Sequence, residues 1–307
     1  MTDLISLNDL STEEIYELLD LAARLKKDVK EGKEHHFLKG RTLGMIFSKS
    51  STRTRVSFEV GMYQLGGSAL FLSSNDIQLG RGEIIYDTAK VLSRFLDGIM
   101  IRTFKHSDVI ELAEYASIPV INGLTDDEHP CQVLADLQTI IEHKGTLKGL
   151  KLAYIGDGNN MANSLLHGCA KTGINIAVAS PAGYTCGEKF VNDAKAAAAA
   201  AGSSVLMTED PAEAIKDADV VYTDTWASMG QESEKEIRRK IFAPYQVNKE
   251  LFALAKKDAI FLHCLPAYRG YEVTEEVIDG SNSVIFDEAE NRLHAQKAVM
   301  VKLMQKT

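Results

Sequence analysis

Two things are scarce in this chain: long apolar runs and positive charge. No apolar stretch approaches the ~20 residues that a bilayer-spanning helix needs. Lys and Arg number 34 against 43 Asp and Glu, a net charge of −9. That balance argues against a surface built for nucleic acid or anionic membrane. An anionic substrate would need a local basic pocket set against the global field. Cysteine is limited to Cys131, Cys169, Cys186 and Cys264, with neither metal-type spacing nor a small-domain disulfide pattern. They read as free thiols, three of them structural. The opening Met1-Thr2-Asp3-Leu4 lacks a charged-then-apolar targeting pattern, so retention in the cytoplasm is the expectation. No internal repeat or low-complexity tail is evident.

What is present is a long alternation of short apolar runs and helix-period segments. The 307 residues suffice for two ordinary domains. Apolar content of 45% and charged content of 25% are those of a globular protein. Ser11-Thr12-Glu13-Glu14 is a helix start, followed by a stripe of Ile15, Leu18, Leu19, Ala22 and Leu25. The run 42–47 reads as a buried strand, and Val56, Val60 and Tyr63 mark one face of the next helix. Strands are expected at 68–72, 98–102 and 119–122, then at 151–155 and 174–179, with further short buried strands at 204–207, 220–223, 260–262 and 284–286. Helices are expected around 84–92, 161–172, 191–201 and 287–306. Repeated strand–helix units imply α/β architecture with parallel sheets covered by helices on both faces. The glycine-marked stretch 143–150 is the expected domain boundary.

Between the first strand and its helix lies Ser48-Lys49-Ser50-Ser51-Thr52-Arg53-Thr54-Arg55. A helix start has unpaired N–H groups and a partial positive charge. Ser51, Thr52 and Thr54 add hydroxyl donors, and Arg53 adds a fork that matches two phosphate oxygens. This is a site for a phosphate dianion. Arg102 ends another strand, at the edge where open parallel sheets bind ligands. Asp126-Asp127-Glu128-His129-Pro130-Cys131-Gln132 is a second strand-to-helix junction, with Pro130 at the first helical position, His129 at the cap and Gln132 on the first turn.

In the second half, Gly156-Asp157-Gly158-Asn159-Asn160 follows a strand and invites a dinucleotide reading. The third glycine of that fingerprint would fall on Met161, and the next strand ends Ala179-Ser180-Pro181 without an acid for a ribose hydroxyl. The alternative expectation is that the turn presents Asn160 to a different small molecule. Asp224-Thr225-Trp226-Ala227-Ser228-Met229-Gly230 follows a strand directly. A carboxylate beside hydroxyl and amide donors suits the ammonium and carboxylate of an amino acid. His263-Cys264-Leu265-Pro266 follows another strand. Cys264 could act as nucleophile, as a hydrogen-bonding partner for an amine, or as packing. His263 should point away from Cys264 if the strand continues.

Taken together these residues resemble the aspartate/ornithine carbamoyltransferase family, and its ornithine-type members most closely. The shared signature is Ser51 to Arg55, Arg102, and His129-Pro130-Cys131-Gln132; the ornithine-type features are Asp224 with Ser228-Met229-Gly230, and His263-Cys264-Leu265-Pro266. Ser48 departs from the acid that many relatives carry there, outside the phosphate-cradling residues. The resemblance implies two domains, each a mostly parallel sheet flanked by helices, with the ligand cleft between them. It implies a carbamoyl-phosphate-binding domain over 1–147 and an ornithine-binding domain over 148–307, with the last helix, about 288–307, packing back on the first. Carried over by position, Ser51, Thr52, Arg53 and Thr54 form the carbamoyl-phosphate loop, which Gln78 completes across a subunit interface. Arg102, His129, Pro130, Cys131 and Gln132 contact the carbamoyl end, and Cys264, Leu265 and Arg292 complete that site. Asn160, Asp224, Ser228 and Met229 contact ornithine. Arg102, His129, Asp224 and Cys264 carry the catalytic roles. The implied reaction moves the carbamoyl group of carbamoyl phosphate to the δ-amine of L-ornithine, in arginine biosynthesis or in reverse. It implies a homotrimer or a multiple of it, with no metal and no organic cofactor. Rival readings are a carbamoyltransferase with a different acceptor, a dehydrogenase using the glycine turn, and a non-catalytic scaffold.

Overall fold

The chain alternates strand and helix in a computed structural model that describes residues 1–227 and 232–305. It divides into two units: Met1–Gln138 with Glu290–Thr307, and Thr139–Ala289. The first unit carries α1 (Thr12–Lys30), β1 (Thr42–Phe47), α2 (Thr52–Gln64), β2 (Ser68–Ser73), α3 (Ile85–Leu92), β3 (Gly98–Arg102), α4 (His106–Tyr115) and β4 (Val120–Leu124), and enters α5 (Pro130–Lys144). The second carries β5 (Lys151–Ile155), α6 (Asn160–Thr172), β6 (Asn175–Ala179), α7 (Glu188–Ala201), β7 (Val205–Thr208), α8 (Pro211–Ile215) and β8 (Val220–Thr223). It continues through α9 (Lys235–Phe242), α10 (Lys249–Phe252), β9 (Ile260–Leu262) and α11 (Glu275–Ile278) to α12 (Ile285–Met304), most of which belongs to the first unit. Both sheets are parallel throughout, with strand orders β2-β1-β3-β4 and β7-β6-β5-β8-β9.

The α1 start forms a capping box: the Glu14 N–H donates to Ser11 Oγ (3.1 Å), and the Ser11 N–H donates to Glu14 Oε2 (2.9 Å). The first core closes on Ile46, Ile99, Ile101 and Val120 with Val109 and Leu112 of α4. The second gathers Ala153, Ile155, Val221 and Phe261 with Trp226 and Phe242.

Two expectations need correction. Residues 284–286 are not a strand. Ser283 makes a single bridge to Phe261, and the helix begins at Ile285, with Phe286 exposed. A three-residue apolar run has no period of its own, so a helix start reads like a strand. Val56, Val60 and Tyr63 do share one face of α2, and the structure shows it to be the outer one; the buried residues are Thr54, Phe58, Gly61 and Met62. β7 is an edge strand and only partly buried. Helix α4 lay in a stretch for which the apolar pattern gave no element.

Gly61 lets α12 come close to α2. A Cβ there would stand 2.9 Å from Met300 Cε and 3.2 Å from Lys297 Cγ. The face of α12 so seated is unusually polar. Lys297 is buried, donating to Gln64 Oε1 (2.9 Å) and meeting His35 Nε2 (2.8 Å). His294 is also buried, 3.5 Å from Glu290 Oε1. Burial first, and then the Lys297 ammonium, push the His294 pKa from 6.5 down to about 4. An unfolded chain protonates His294 near 6.5, whereas the folded one resists until about 4. Stability is therefore full above the upper value and is lost as pH falls toward the lower one, by about 3 kcal/mol. Urea unfolding of His294→Gln is expected to depend less steeply on pH across this window than that of the parent. Identical slopes would contradict the assignment.

Candidate active site

In an open parallel sheet, ligands bind beyond the strand ends where the connections change direction. In the first sheet this point lies between β1 and β3, because β2 was added on one side of β1 and β3 on the other. In the second it lies between β5 and β8. The loops after these strands carry the Ser51–Thr54 run, Asn160 and Asp224, and Arg102 ends β3; the His129–Gln132 run follows the neighbouring β4, and Cys264 and Leu265 follow the neighbouring β9.

The β1 loop is drawn against β3 by a bond from the Ser48 N–H to the Arg102 carbonyl (2.8 Å). Ser51 caps α2, its Oγ accepting the Thr54 N–H at 3.2 Å. Thr54 is fully buried, and its hydroxyl meets Ser51 Oγ (3.1 Å) and accepts from Arg292 Nη2 (2.8 Å). The close seat at Gly61 thus brings a guanidinium from the far end of the chain to the helix start. Arg53 is half-buried, and among the described residues no partner in the chain engages its guanidinium. Thr52 is exposed. Arg55 faces outward, paired with Glu59 Oε1 at 2.9 Å and lying 3.8 Å from the Phe71 ring centroid. Gln78 is exposed on the 3-10 turn Gln78–Arg81, and among the described residues no hydrogen bond ties it to the α2 start.

Arg102 and His129 are buried. Burial, reinforced by the Arg292 and Arg102 guanidiniums, holds the His129 pKa well below its ordinary value. The imidazole is neutral at physiological pH and can donate a hydrogen bond without carrying charge. Pro130 opens α5 as expected. Burial pushes the Cys131 thiol up to about 12, which removes it as a nucleophile. Its Sγ rests 3.5 Å from the Asn122 carbonyl. Gln132 is buried and donates from Nε2 to Asp136 Oδ1 (2.8 Å).

In the second unit Asp224 collects three donors: Asn159 Nδ2 (2.9 Å), its neighbour's Thr225 N–H (2.7 Å) and Cys264 Sγ (3.2 Å). Asn159 is itself fixed as the cap of α6, its Oδ1 accepting from the Met161 N–H (2.9 Å), the Ala162 N–H (3.2 Å) and Tyr154 OH (3.2 Å). Asn160 follows it, half-buried at the start of α6. Leu265 is half-buried in the next turn. Cys264, His263 and Asp224 offer ligand atoms within 4.8 Å of one another. Both ring nitrogens of His263 are nonetheless committed, Nδ1 to the Leu265 N–H (2.9 Å) and Nε2 to Glu272 (3.2 Å), so the trio is not an open metal site. Ser228 and Met229 lie outside the described residues.

The glycine turn has a packing explanation. The Gly158 N–H donates to the Tyr184 carbonyl (2.7 Å), and a Cβ on Gly158 would stand 2.2 Å from the Cys186 nitrogen. The chain's own backbone occupies the space where a dinucleotide phosphate would approach. Gly158→Ala is expected to destabilise the protein by about 3 kcal/mol or more in a denaturant titration, since the obstacle is backbone. An unchanged midpoint would refute this.

Against known proteins, residues 2–142 match the model of the aspartate/ornithine carbamoyltransferase carbamoyl-P binding domain, and residues 148–303 match that of the family's Asp/Orn binding domain. The chain belongs to the aspartate/ornithine carbamoyltransferase family. The ornithine carbamoyltransferase of Caldicellulosiruptor saccharolyticus is 64% identical over 301 residues, 98% of each chain. A relative from Pyrococcus furiosus, "Ornithine carbamoyltransferase, anabolic", is 58% identical over 302 residues, 98% of this chain and 96% of its own. The solved Pyrococcus furiosus ornithine carbamoyltransferase superposes with a TM-score of 0.97 at 57% identity, covering 99% of this chain and 97% of that one.

As a carbamoyltransferase-family chain, this protein has three side chains around its strand ends that motif reading passed over. Asn159 stood one place before the residue singled out; the Asn following Gly-Asp-Gly was a readable cap signal. Lys49 is buried, pairs with Asp126 and lies 4.4 Å from the Phe104 ring centroid, joining the Ser51 loop to the His129 loop. Arg238 of α9 donates to Asp157 Oδ2 (2.7 Å), the Trp226 carbonyl (3.0 Å) and Glu234 Oε2 (2.9 Å). It holds the residues flanking 228–231 to the glycine turn. Neither of these two had a local sequence signal, because their partners are remote in the chain.

Proposed function

We propose that this protein transfers the carbamoyl group of carbamoyl phosphate to the δ-amine of L-ornithine, giving L-citrulline and phosphate. The observation that carries this reading is the contrast between the two sheets. One collects cationic and hydroxyl groups at its switch point, and the other collects a buried carboxylate beside a thiol. A phosphate-bearing donor suits the first and an amine-bearing acceptor the second. The names and identities of the relatives support the same reaction and its place in arginine biosynthesis.

Ser51, Thr52, Arg53, Thr54 and the N–H groups at the α2 start bind the phosphate. Negative charge grows on the carbamoyl oxygen as the amine attacks, and Arg102, His129 and Thr54 stabilise it. Each such donor contributes about 3–4 kcal/mol in comparable sites. Gln132 and Arg292 hold the surrounding groups in register, with Pro130 and Cys131 shaping the wall. The C–O bond to phosphate then breaks, and Arg53 receives the growing charge of the leaving group. The attacking amine must be neutral, although a free alkylammonium has a pKa near 10. Asp224 and Cys264 orient it, with the Leu265 turn beside them, and Asn160, Ser228 and Met229 hold the amino-acid end. The chemistry draws on these side chains alone, without metal or organic cofactor.

A homotrimer, or a multiple of it, fits the outer surface of the first unit. Val56, Val60 and Tyr63 on α2 and Leu70 and Phe71 on the edge strand β2 are all exposed. Bare apolar edges of this kind call for a covering partner. Gln78, exposed on the same unit, reaches a neighbour's phosphate loop in this arrangement. Light scattering after size exclusion tests the assembly. Among the described residues no helix is long and apolar enough to cross a membrane. A cytoplasmic location is part of the same proposal.

A colorimetric citrulline assay tests the reaction. With carbamoyl phosphate as donor, ornithine should be turned over faster than acetylornithine, putrescine or aspartate. No product with ornithine, or a better acceptor among the other three, would overturn the reading.

A further inference from the structure

We propose that His263 is a positioning residue for the acceptor half-site: it holds the Cys264–Leu265 turn in the shape that points the thiol at Asp224. The inference rests on the reading that this half-site receives the amine. The residue directly after β9 is completely buried and held at three places. Its backbone N–H donates to Glu288 Oε2 (2.8 Å). Its Nε2 meets Glu272 Oε1 (3.2 Å), and its Nδ1 accepts the Leu265 N–H (2.9 Å). An accepting Nδ1 leaves the ring proton on Nε2, facing Glu272, so the bonding pattern assigns one neutral tautomer.

Leu265 shows why such an anchor is needed. Its φ is +58°, in the left-handed region that side-chain-bearing residues avoid. An outside group must hold it there, and the imidazole is that group. Cys264 lies between the anchor and the strained residue, with Sγ 3.2 Å from Asp224 Oδ1. Glu272 also accepts the Tyr268 N–H, so the whole turn is wound around the His263–Glu272 pair. Glu288 accepts from Tyr222 OH (3.2 Å) as well as from His263. One carboxylate thereby sets the spacing of β8, which leads to Asp224, and β9, which leads to Cys264. Burying two carboxylates and an imidazole costs desolvation that purely apolar packing would avoid. What the arrangement supplies is a fixed direction for the thiol.

Two substitutions separate the arms of the imidazole. In His263→Asn the amide oxygen can occupy the Nδ1 position and still accept the Leu265 N–H. In His263→Gln the amide reaches Glu272, but Leu265 loses its acceptor. For His263→Gln the ornithine KM should rise about tenfold or more, with the carbamoyl-phosphate KM within about twofold of the parent. His263→Asn should stay within about threefold in both. A second readout needs no acceptor: iodoacetamide labelling of Cys264, followed by mass spectrometry, should change in rate several-fold in His263→Gln and little in His263→Asn. Labelling therefore still tests the positioning role if no citrulline is formed. Equal impairment of both variants, or parental kinetics and labelling in His263→Gln, would overturn the proposal. Should His263→Gln not fold, Glu272→Ala frees the imidazole from its far side, and a parental ornithine KM in that variant would overturn it equally.

Discussion

Arg53→Ala is expected to lower kcat/KM for carbamoyl phosphate by about a thousandfold or more while leaving the fold intact. The size follows from the charge involved. A guanidinium gives a phosphate two parallel charge-assisted bonds, and it contributes most as the leaving oxygen takes up charge. The harmlessness to the fold follows from the absence, among the described residues, of any partner in the chain for this side chain. It is half-buried at the first turn of a helix whose cap and buried threonine are already satisfied without it. Steady-state kinetics beside a thermal melt decide the matter: near-parental turnover would remove the phosphate from this loop.

Asp224→Asn should be nearly as costly, on the other substrate. The carboxylate accepts from Asn159, Thr225 and Cys264. An amide in its place must turn its NH2 against one of those donors, and it loses the charge that orients an ammonium. The ornithine KM is expected to rise about a hundredfold, with calorimetric binding of a phosphonate analogue of carbamoyl phosphate unchanged. Loss of analogue binding and ornithine handling together would mean that the substitution damages the protein broadly rather than the acceptor site.

Much of this is legible in the sequence, for a physical reason. Phosphate loops and strand-end carboxylates are local: the strand, the turn residues and the helix start that aim them follow one another in sequence, as at Ser51, His129 and Asp224. The parallel alternation likewise announced both sheets. Direction of burial was harder. Val56, Val60 and Tyr63 have helical spacing, but spacing reports a face and not which side of it is wet. The three apolar residues at 284–286 offered too short a run to tell a helix start from a strand. Side chains that act at a distance left no trace. Lys49 meets Asp126 77 positions away, Arg238 meets Asp157 81 away, and Arg292 meets Thr54 238 away. Nothing in a local pattern encodes such pairs, and His263 could be given only a direction.

The Arg292–Thr54 bond has a consequence for synthesis. The proposed donor pocket is finished by a residue 238 positions after Thr54, on a helix that fills the groove at Gly61. A nascent polypeptide therefore carries the Ser51–Thr54 loop with that groove open and Thr54 lacking its guanidinium until α12 has been synthesised. The proposed donor half-site is therefore complete only once this late helix has been made and has packed against α2.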